Sequence, residues 1–197
     1  MTRIPARSTL SALGCAALLA VSPLAQAQHA HGAHEHGVAH LSVATDGGEL
    51  LIELTTPLDN LVGFEHAPRT AAQRKAMAAA EQRLREGGAL FAPSTAAGCA
   101  LREVSVESPW PQGGEQADGH KHDHKHDHKH DHDHGDDGHA DLVASYRFEC
   151  SAPAALERID TALFDAFPRL RELRAAHASG RGQGSAVLKP GAAALKL

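Results

Sequence analysis

VAHLSVATDGGELLIELT, residues 38–55, is the stretch from which the fold can be read. Val38 to Thr45 alternates apolar and polar residues, Asp46-Gly47-Gly48-Glu49 is a tight-turn signal, and Leu50 to Thr55 alternates again. Two such runs around a Gly-Gly pair predict a β-hairpin. With Gly47 and Gly48 as the loop residues, Val43 faces Ile52 and Leu41 faces Leu54, and these four make one apolar face. His40 then falls on the opposite face, beside Thr55 and diagonal to Glu53. His34 and His36 share the parity of His40, so a chain that stayed extended would aim all three imidazoles the same way. They form a candidate metal site, with Glu53 as a fourth ligand or as an acceptor that orients an imidazole.

Toward the C-terminus, Pro57 to Pro68 (PLDNLVGFEHAP) reads as an apolar loop or short helical turn. A histidine in such a loop, here His66, is ordinarily hydrogen-bonded and structural; it and His177 rank lower as ligands. Thr70-Ala71-Ala72-Gln73 is a capping box and opens a helix that should run to about Glu86, where Gly87-Gly88 stops it. Met77, Ala80 and Leu84 are its apolar stripe. Leu101 to Ser108 and Asp141 to Glu149 read as strands, with Cys99 and Cys150 just outside them. Pairing the cysteines directly sets Leu101 opposite Phe148 and Ser105 opposite Ala144. That register turns Val104 and Val106 away from Phe148, so either both faces are partly covered or a bulge shifts the pairing.

Ala152-Pro153 opens a second expected helix, in which Leu156, Ile159, Leu163, Phe164 and Phe167 recur at three- and four-residue intervals before Pro168 ends it. Asp160 falls on its apolar side, where a buried pairing with an arginine fits better than a ligand role. Leu170 to His177 and Ser185 to Leu188 read as two strands around a Gly-rich turn, although the first has enough Ala and Arg to be helical. The expected class is therefore α+β, an antiparallel sheet with two main helices.

Toward the N-terminus, Arg3 and Arg7 precede an apolar stretch from Leu10 to Leu24, and Ala25-Gln26-Ala27 fits a small-x-small cleavage site. Residues 1–27 read as a cleaved secretory signal, leaving 28–197 as one exported domain. Cys15 leaves with the signal, because most of the apolar segment follows it rather than preceding it as lipidation requires. No mature stretch is long and apolar enough to span a bilayer, so no membrane anchor is expected. Cys99 and Cys150 remain, and an even pair in an oxidising compartment is expected to be a disulfide rather than two thiolates on a metal.

Two segments are rich in histidine. His29, His31, His34, His36 and His40 follow the cleavage site, and His29 and His31 read as a frayed polar terminus. The run from His120 to His139, HKHDHKHDHKHDHDHGDDGH, holds nine of the sixteen histidines of the chain. These are His120, His122, His124, His126, His128, His130, His132, His134 and His139. With no aliphatic or aromatic side chain, the run cannot offset the ~1–2 kcal/mol per residue that ordering a backbone costs. Residues 112–140 are therefore an expected disordered His/Asp-rich loop joining two strands. Imidazole is the commonest side-chain ligand for zinc, copper and nickel, and spacer linkers use Gly, Ser or Pro instead. Alternate histidines on an extended chain lie about 7 Å apart, so two reach one ion only where the backbone bends, which makes for exchangeable sites.

Composition excludes several classes. A net charge of −5 and an aromatic content of 4% leave no basic, aromatic-lined surface for nucleic acid or sugar. No HExxH occurs, and no Ser or Cys nucleophile has a matching base, so a metal-dependent hydrolase built on His34-x-His36 is the weakest reading. Copper or nickel sequestration is the main alternative, although two methionines in the whole chain argue against a Cu(I) route.

The chain also resembles the ZrgA-like periplasmic zinc-uptake proteins. The matching pieces are HEHGVAHLSVA after the signal, NLVGFEHAP from Asn60 to Pro68, and the histidine insert, followed by YRFEC ending at Cys150, IDTALFDAFPRL from Ile159 to Leu170, and GRGQG near the C-terminus. The resemblance implies a periplasmic, two-layer α/β sandwich that binds zinc and assists its import alongside an ABC-type zinc transporter, in a family not established as enzymes. It supplies no residue-level ligand set, so the ligands named above rest on the register argument.

Overall fold

The computed structural model describes residues 35–110 and 140–197. The signal segment, His29, His31, His34 and the histidines from His120 to His139 lie outside the described residues. The Val38–Asp46 strand (β1) and the Glu49–Pro57 strand (β2) form the expected hairpin, with His40 opposite Thr55, Leu41 opposite Leu54 and Val43 opposite Ile52. Gly47 takes a positive φ of 54°, which the tight loop requires of one residue and glycine adopts without a Cβ clash.

The chain then makes one short helical stretch, Leu58–Val62 (α1), before the capped helix Ala71–Arg85 (α2). Both halves of the Thr70/Gln73 capping box are formed, and Met77, Ala80 and Leu84 are buried as expected. A single turn, Gly87–Leu90 (α3), leads into a three-residue strand, Phe91–Pro93 (β3). Strands Cys99–Glu107 (β4) and Asp141–Cys150 (β5) pair antiparallel, and Cys99 and Cys150 are disulfide-bonded. Of the two arrangements open for this pair, the bulge is found. The register shifts between Leu101 and Glu103, so Arg102 is the extra residue. Val104 now faces Tyr146 and Val106 faces Ala144, which puts them on the core side with Leu101.

The expected helix over 153–167 does not form. In its place are a 3₁₀ turn at Pro153–Ala155, a strand Arg158–Thr161 (β6) and one helical turn Leu163–Ala166 (α4). The burial implied by the spacing is nevertheless right, because Leu156, Ile159, Leu163, Phe164 and Phe167 are all buried. Tertiary partners decide the conformation. Ser94 accepts from the Glu157 and Arg158 amides through Oγ and donates its own amide to the Arg158 carbonyl, which draws this stretch out as a strand. There β6 sits between β3 and the Ala194–Lys196 strand (β9). Both partners are three residues long, too short to announce themselves in sequence. Asp160 is paired with an arginine, Arg158 at 3.0 Å, on the partly exposed face of this central strand rather than in the core.

Glu172–Ser179 (β7) and Gly182–Leu188 (β8) complete the structure, so the Ala- and Arg-containing segment is a strand and not a helix. The large sheet runs β4-β5-β2-β1-β7-β8, and β1 and β7 are parallel. The sheet is therefore mixed, not wholly antiparallel, because the β6–α4 segment carries the chain back before β7 begins. Helix α2 and the small sheet share one core with the Leu41, Ile52, Leu142 and Phe148 side of the large sheet. Ser42, Glu53 and Arg147 on the other side stay exposed or partly exposed. Among the described residues, no helix is long and apolar enough to cross a membrane.

Candidate functional site

Strand directions give the large sheet two unlike ends. One end holds the starts of β1, β5 and β7 and the finishes of β2, β4 and β8. The chain reaches β1 directly from the N-terminal histidines, and it leaves β4 after Glu107 and returns at Asp141 across the histidine insert. Both histidine-rich segments thus join the folded body at this same end. The returning root is fastened there, since the Leu58 amide donates to the Ala140 carbonyl at 2.9 Å.

At this end β1 begins at Val38, and Glu35-His36-Gly37 forms a turn ahead of it. Gly37 has φ 84°, a left-handed conformation that favours glycine. The alternation assumed for an extended chain therefore stops at Val38. His36 and His40 do not share a face, which removes the parity basis for grouping them with His34. His40 is exposed on the open sheet face beside Thr55 and Arg174, with Glu53 exposed on the same face opposite Ser42.

His36 turns instead toward α1 and the loop after it. Its Nε2 lies 3.2 Å from Glu65 Oε1 and its Nδ1 lies 3.9 Å from Asp59 Oδ2. The imidazole is 62% exposed, whereas the two carboxylates are only 13% and 17% exposed, so the ring is reachable from solvent while its partners are sheltered. Asp59 is held by Arg169, which donates from Nη2 to both carboxylate oxygens at 2.8 and 2.9 Å and from Nε to the Asp59 carbonyl at 2.7 Å. One nitrogen thus bridges both carboxylate oxygens while another holds the backbone, which positions the carboxylate and balances its charge.

The turn itself is clamped by Asn60, which is fully buried. Asn60 Oδ1 accepts from the Gly37 amide at 2.6 Å, and its Nδ2 donates to the Val38 carbonyl at 2.7 Å and to Thr56 Oγ1 at 3.1 Å. The Gly37 carbonyl accepts from the Arg171 and Glu172 amides at 2.8 and 2.9 Å. Nearby, Arg174 bridges Glu172 and Glu35 at 2.9 and 2.8 Å. The Glu172 carboxylate, and then Glu35, hold its guanidinium above the ordinary arginine value.

Of the lower-ranked histidines, His66 behaves as a loop residue. Its Nδ1 donates to the Ala67 carbonyl at 2.9 Å and its ring stacks on Phe64. His177 lies across Gly184 on β8, and its Nδ1 is buried with no hydrogen-bond partner among the described residues. Among the described residues no three His, Cys, Asp or Glu side chains converge as a ready-made metal cage. The sequence reading missed Asp59, Asn60, Glu65 and Arg169. The available signal was the polar pair Asp59-Asn60 inside an otherwise apolar stretch, which a buried hydrogen-bonding role explains.

The fold thus sets one imidazole between two sheltered carboxylates at the end of the sheet where the chain enters β1 and where the insert is rooted. A model of the ZrgA family of zinc uptake proteins matches residues 33–197. The chain belongs to that family, which is not known as a family of enzymes. No curated protein matches the chain.

Proposed function

We propose that this chain is a periplasmic zinc-binding protein that captures or buffers Zn(II) and assists its import with an ABC-type zinc transporter. The observation that carries the reading is the shared root of the two histidine-rich segments at one end of the sheet, in a chain of the zinc-uptake family. The histidines of the insert, His120 through His139, together with His34, are the capture ligands. Neutral imidazole at every second position presents many equivalent, exchangeable sites, which suits capture and hand-over better than storage. The intervening aspartates serve as further ligands or as acceptors that orient an imidazole. Export follows from the signal-like segment 1–27, and the Cys99–Cys150 disulfide is compatible with an oxidising compartment.

Metal content of protein isolated without a tag from the periplasm, followed by titration with zinc, nickel and copper, tests the reading. Zinc recovered with the native protein, and several zinc equivalents bound at neutral pH, are the expected results. Preferential recovery of copper or nickel would replace import with sequestration of those ions, and absence of any uptake would overturn the assignment. Removal of residues 120–139 should lower the number of zinc ions bound and leave the fold in place. Binding should also weaken as pH falls through about 6.5, the ordinary imidazole value, because the ligand form is unprotonated.

A further inference from the structure

Two sheltered carboxylates and an arginine surround one exposed imidazole, His36. A tie-down of the N-terminal strand would be served by the Asn60 clamp and the Gly37 carbonyl bonds alone. Those bonds account for the backbone of the turn, but not for the two sheltered carboxylates that flank the ring, nor for the arginine that fixes one of them. The two ring nitrogens are also treated differently. Nε2 makes an ion-pair contact with Glu65 Oε1 at 3.2 Å, whereas Nδ1 is separated from Asp59 Oδ2 by 3.9 Å, a gap too long for a hydrogen bond.

Resting on the zinc reading above, we propose that the folded body carries a Zn(II) site of its own, bridging His36 Nδ1 and Asp59 Oδ2, with Glu65 as a positioning residue. Glu65 accepts a proton held on Nε2, which fixes the tautomer with the Nδ1 lone pair directed at the gap. Carboxylate–imidazole–zinc arrangements work in this way, and the carboxylate raises the basicity of the ligating nitrogen. Zinc sits about 2.0–2.2 Å from imidazole nitrogen and carboxylate oxygen. An ion between atoms 3.9 Å apart would subtend a wide angle, and an approach of about half an ångström brings the pair to tetrahedral spacing. A side-chain rotation of the exposed imidazole supplies that. Arg169 holds Asp59 without using up its coordinating capacity, because each carboxylate oxygen has a second lone pair. Water completes the coordination, so the site is open and exchangeable. It lies at the end of the sheet where both histidine-rich segments are rooted, which makes it a fixed station for ions those segments collect.

The test uses the full mature chain, labelled with ¹⁵N, and follows the imidazole nitrogens by long-range proton–nitrogen correlation during titration with zinc chloride. His36→Gln identifies the His36 signals. The expected result is a change at His36 Nδ1 on zinc addition while Nε2 keeps its proton. Asp59→Asn, which retains a partner for Arg169, should weaken zinc at this site at least tenfold and remove one equivalent from the total. Glu65→Gln should weaken it about tenfold without removing it, as loss of an orienting carboxylate does. Zinc bound elsewhere with the His36 signals unmoved would overturn this inference and leave the capture reading intact. A response at Nε2 instead of Nδ1 would overturn the geometry in favour of Glu65 as the ligand. Absence of zinc binding anywhere on the chain would overturn both. Should Asp59→Asn fail to fold, the titration of the unaltered chain still decides.

Discussion

The two ends of the large sheet are built from the same strands and solve different problems. At one end the Asp46–Glu49 turn, the Cys99–Cys150 disulfide and the Ser179–Gly182 turn close the strands off. There Arg181 reaches from the β7–β8 turn to the Ala154 and Leu156 carbonyls and ties that turn to the segment after β5. At the other end lie the start of β1 and the root of the insert at β4 and β5, and beside the start of β1 are His36, Asp59, Asn60, Glu65 and Arg169. Covalent and backbone bonds dominate the first end, and polar side chains, of which Asp59 and Asn60 are buried, dominate the second.

If that division is right, variants at the closed end should cost stability and leave zinc alone, while variants at the open end should affect both. The largest effect belongs to the disulfide. Its cysteines are 51 residues apart, and loop-closure entropy for that length is worth about 4 kcal/mol. Replacing both cysteines by serine should lower the unfolding free energy by about that amount in denaturant titrations, with the zinc stoichiometry unchanged. A fall in zinc bound by a variant still folded would break the division. Asn60→Ala comes next, at about 2–3 kcal/mol. It removes three buried hydrogen bonds and leaves the Gly37 amide without its acceptor. Unlike the cysteine variant, it should also shift the His36 nitrogen signals, because the turn that aims the ring is released.

Arg181→Ala should cost about 1 kcal/mol, the value of hydrogen bonds from a charged donor in a partly exposed place, with no effect on zinc. The smallest change lies midway between the ends and has the opposite sign. The hydroxyl of Tyr146 is buried with no hydrogen-bond partner among the described residues, while its ring packs edge-on against Phe91. Tyr146→Phe keeps the packing and removes the stranded hydroxyl, so thermal melts should show a gain of up to about 1 kcal/mol. Burial disfavours the phenolate and raises the phenol's pKa in the folded state. The stability this confers is complete below the unfolded phenol value of about 10 and is lost as pH rises toward the folded value. The phenylalanine variant should therefore show a shallower alkaline loss of stability than the parent chain.

What could be read from the residues in order was whatever depends on near neighbours. The β1–β2 register follows from a two-residue turn and strict alternation, and α2 follows from its capping box and stripe, so both were legible to within a residue or two. The expectation of metal handling follows from histidine density, which needs no fold to be seen. Spacing at three and four over 156–167 reported burial correctly and conformation wrongly. Which residues enter a core is set by their own apolarity, whereas strand or helix there depended on Ser94 and on two three-residue strands distant in sequence. The arrangement around His36 was hidden for the same reason. Parity carries a side-chain direction only while the backbone stays extended, and here a left-handed Gly37 held by Asn60 turns the ring toward an α1 carboxylate fixed by Arg169. Local chemistry named the candidate ligand types, and long-range hydrogen bonds decided which carboxylates an imidazole meets.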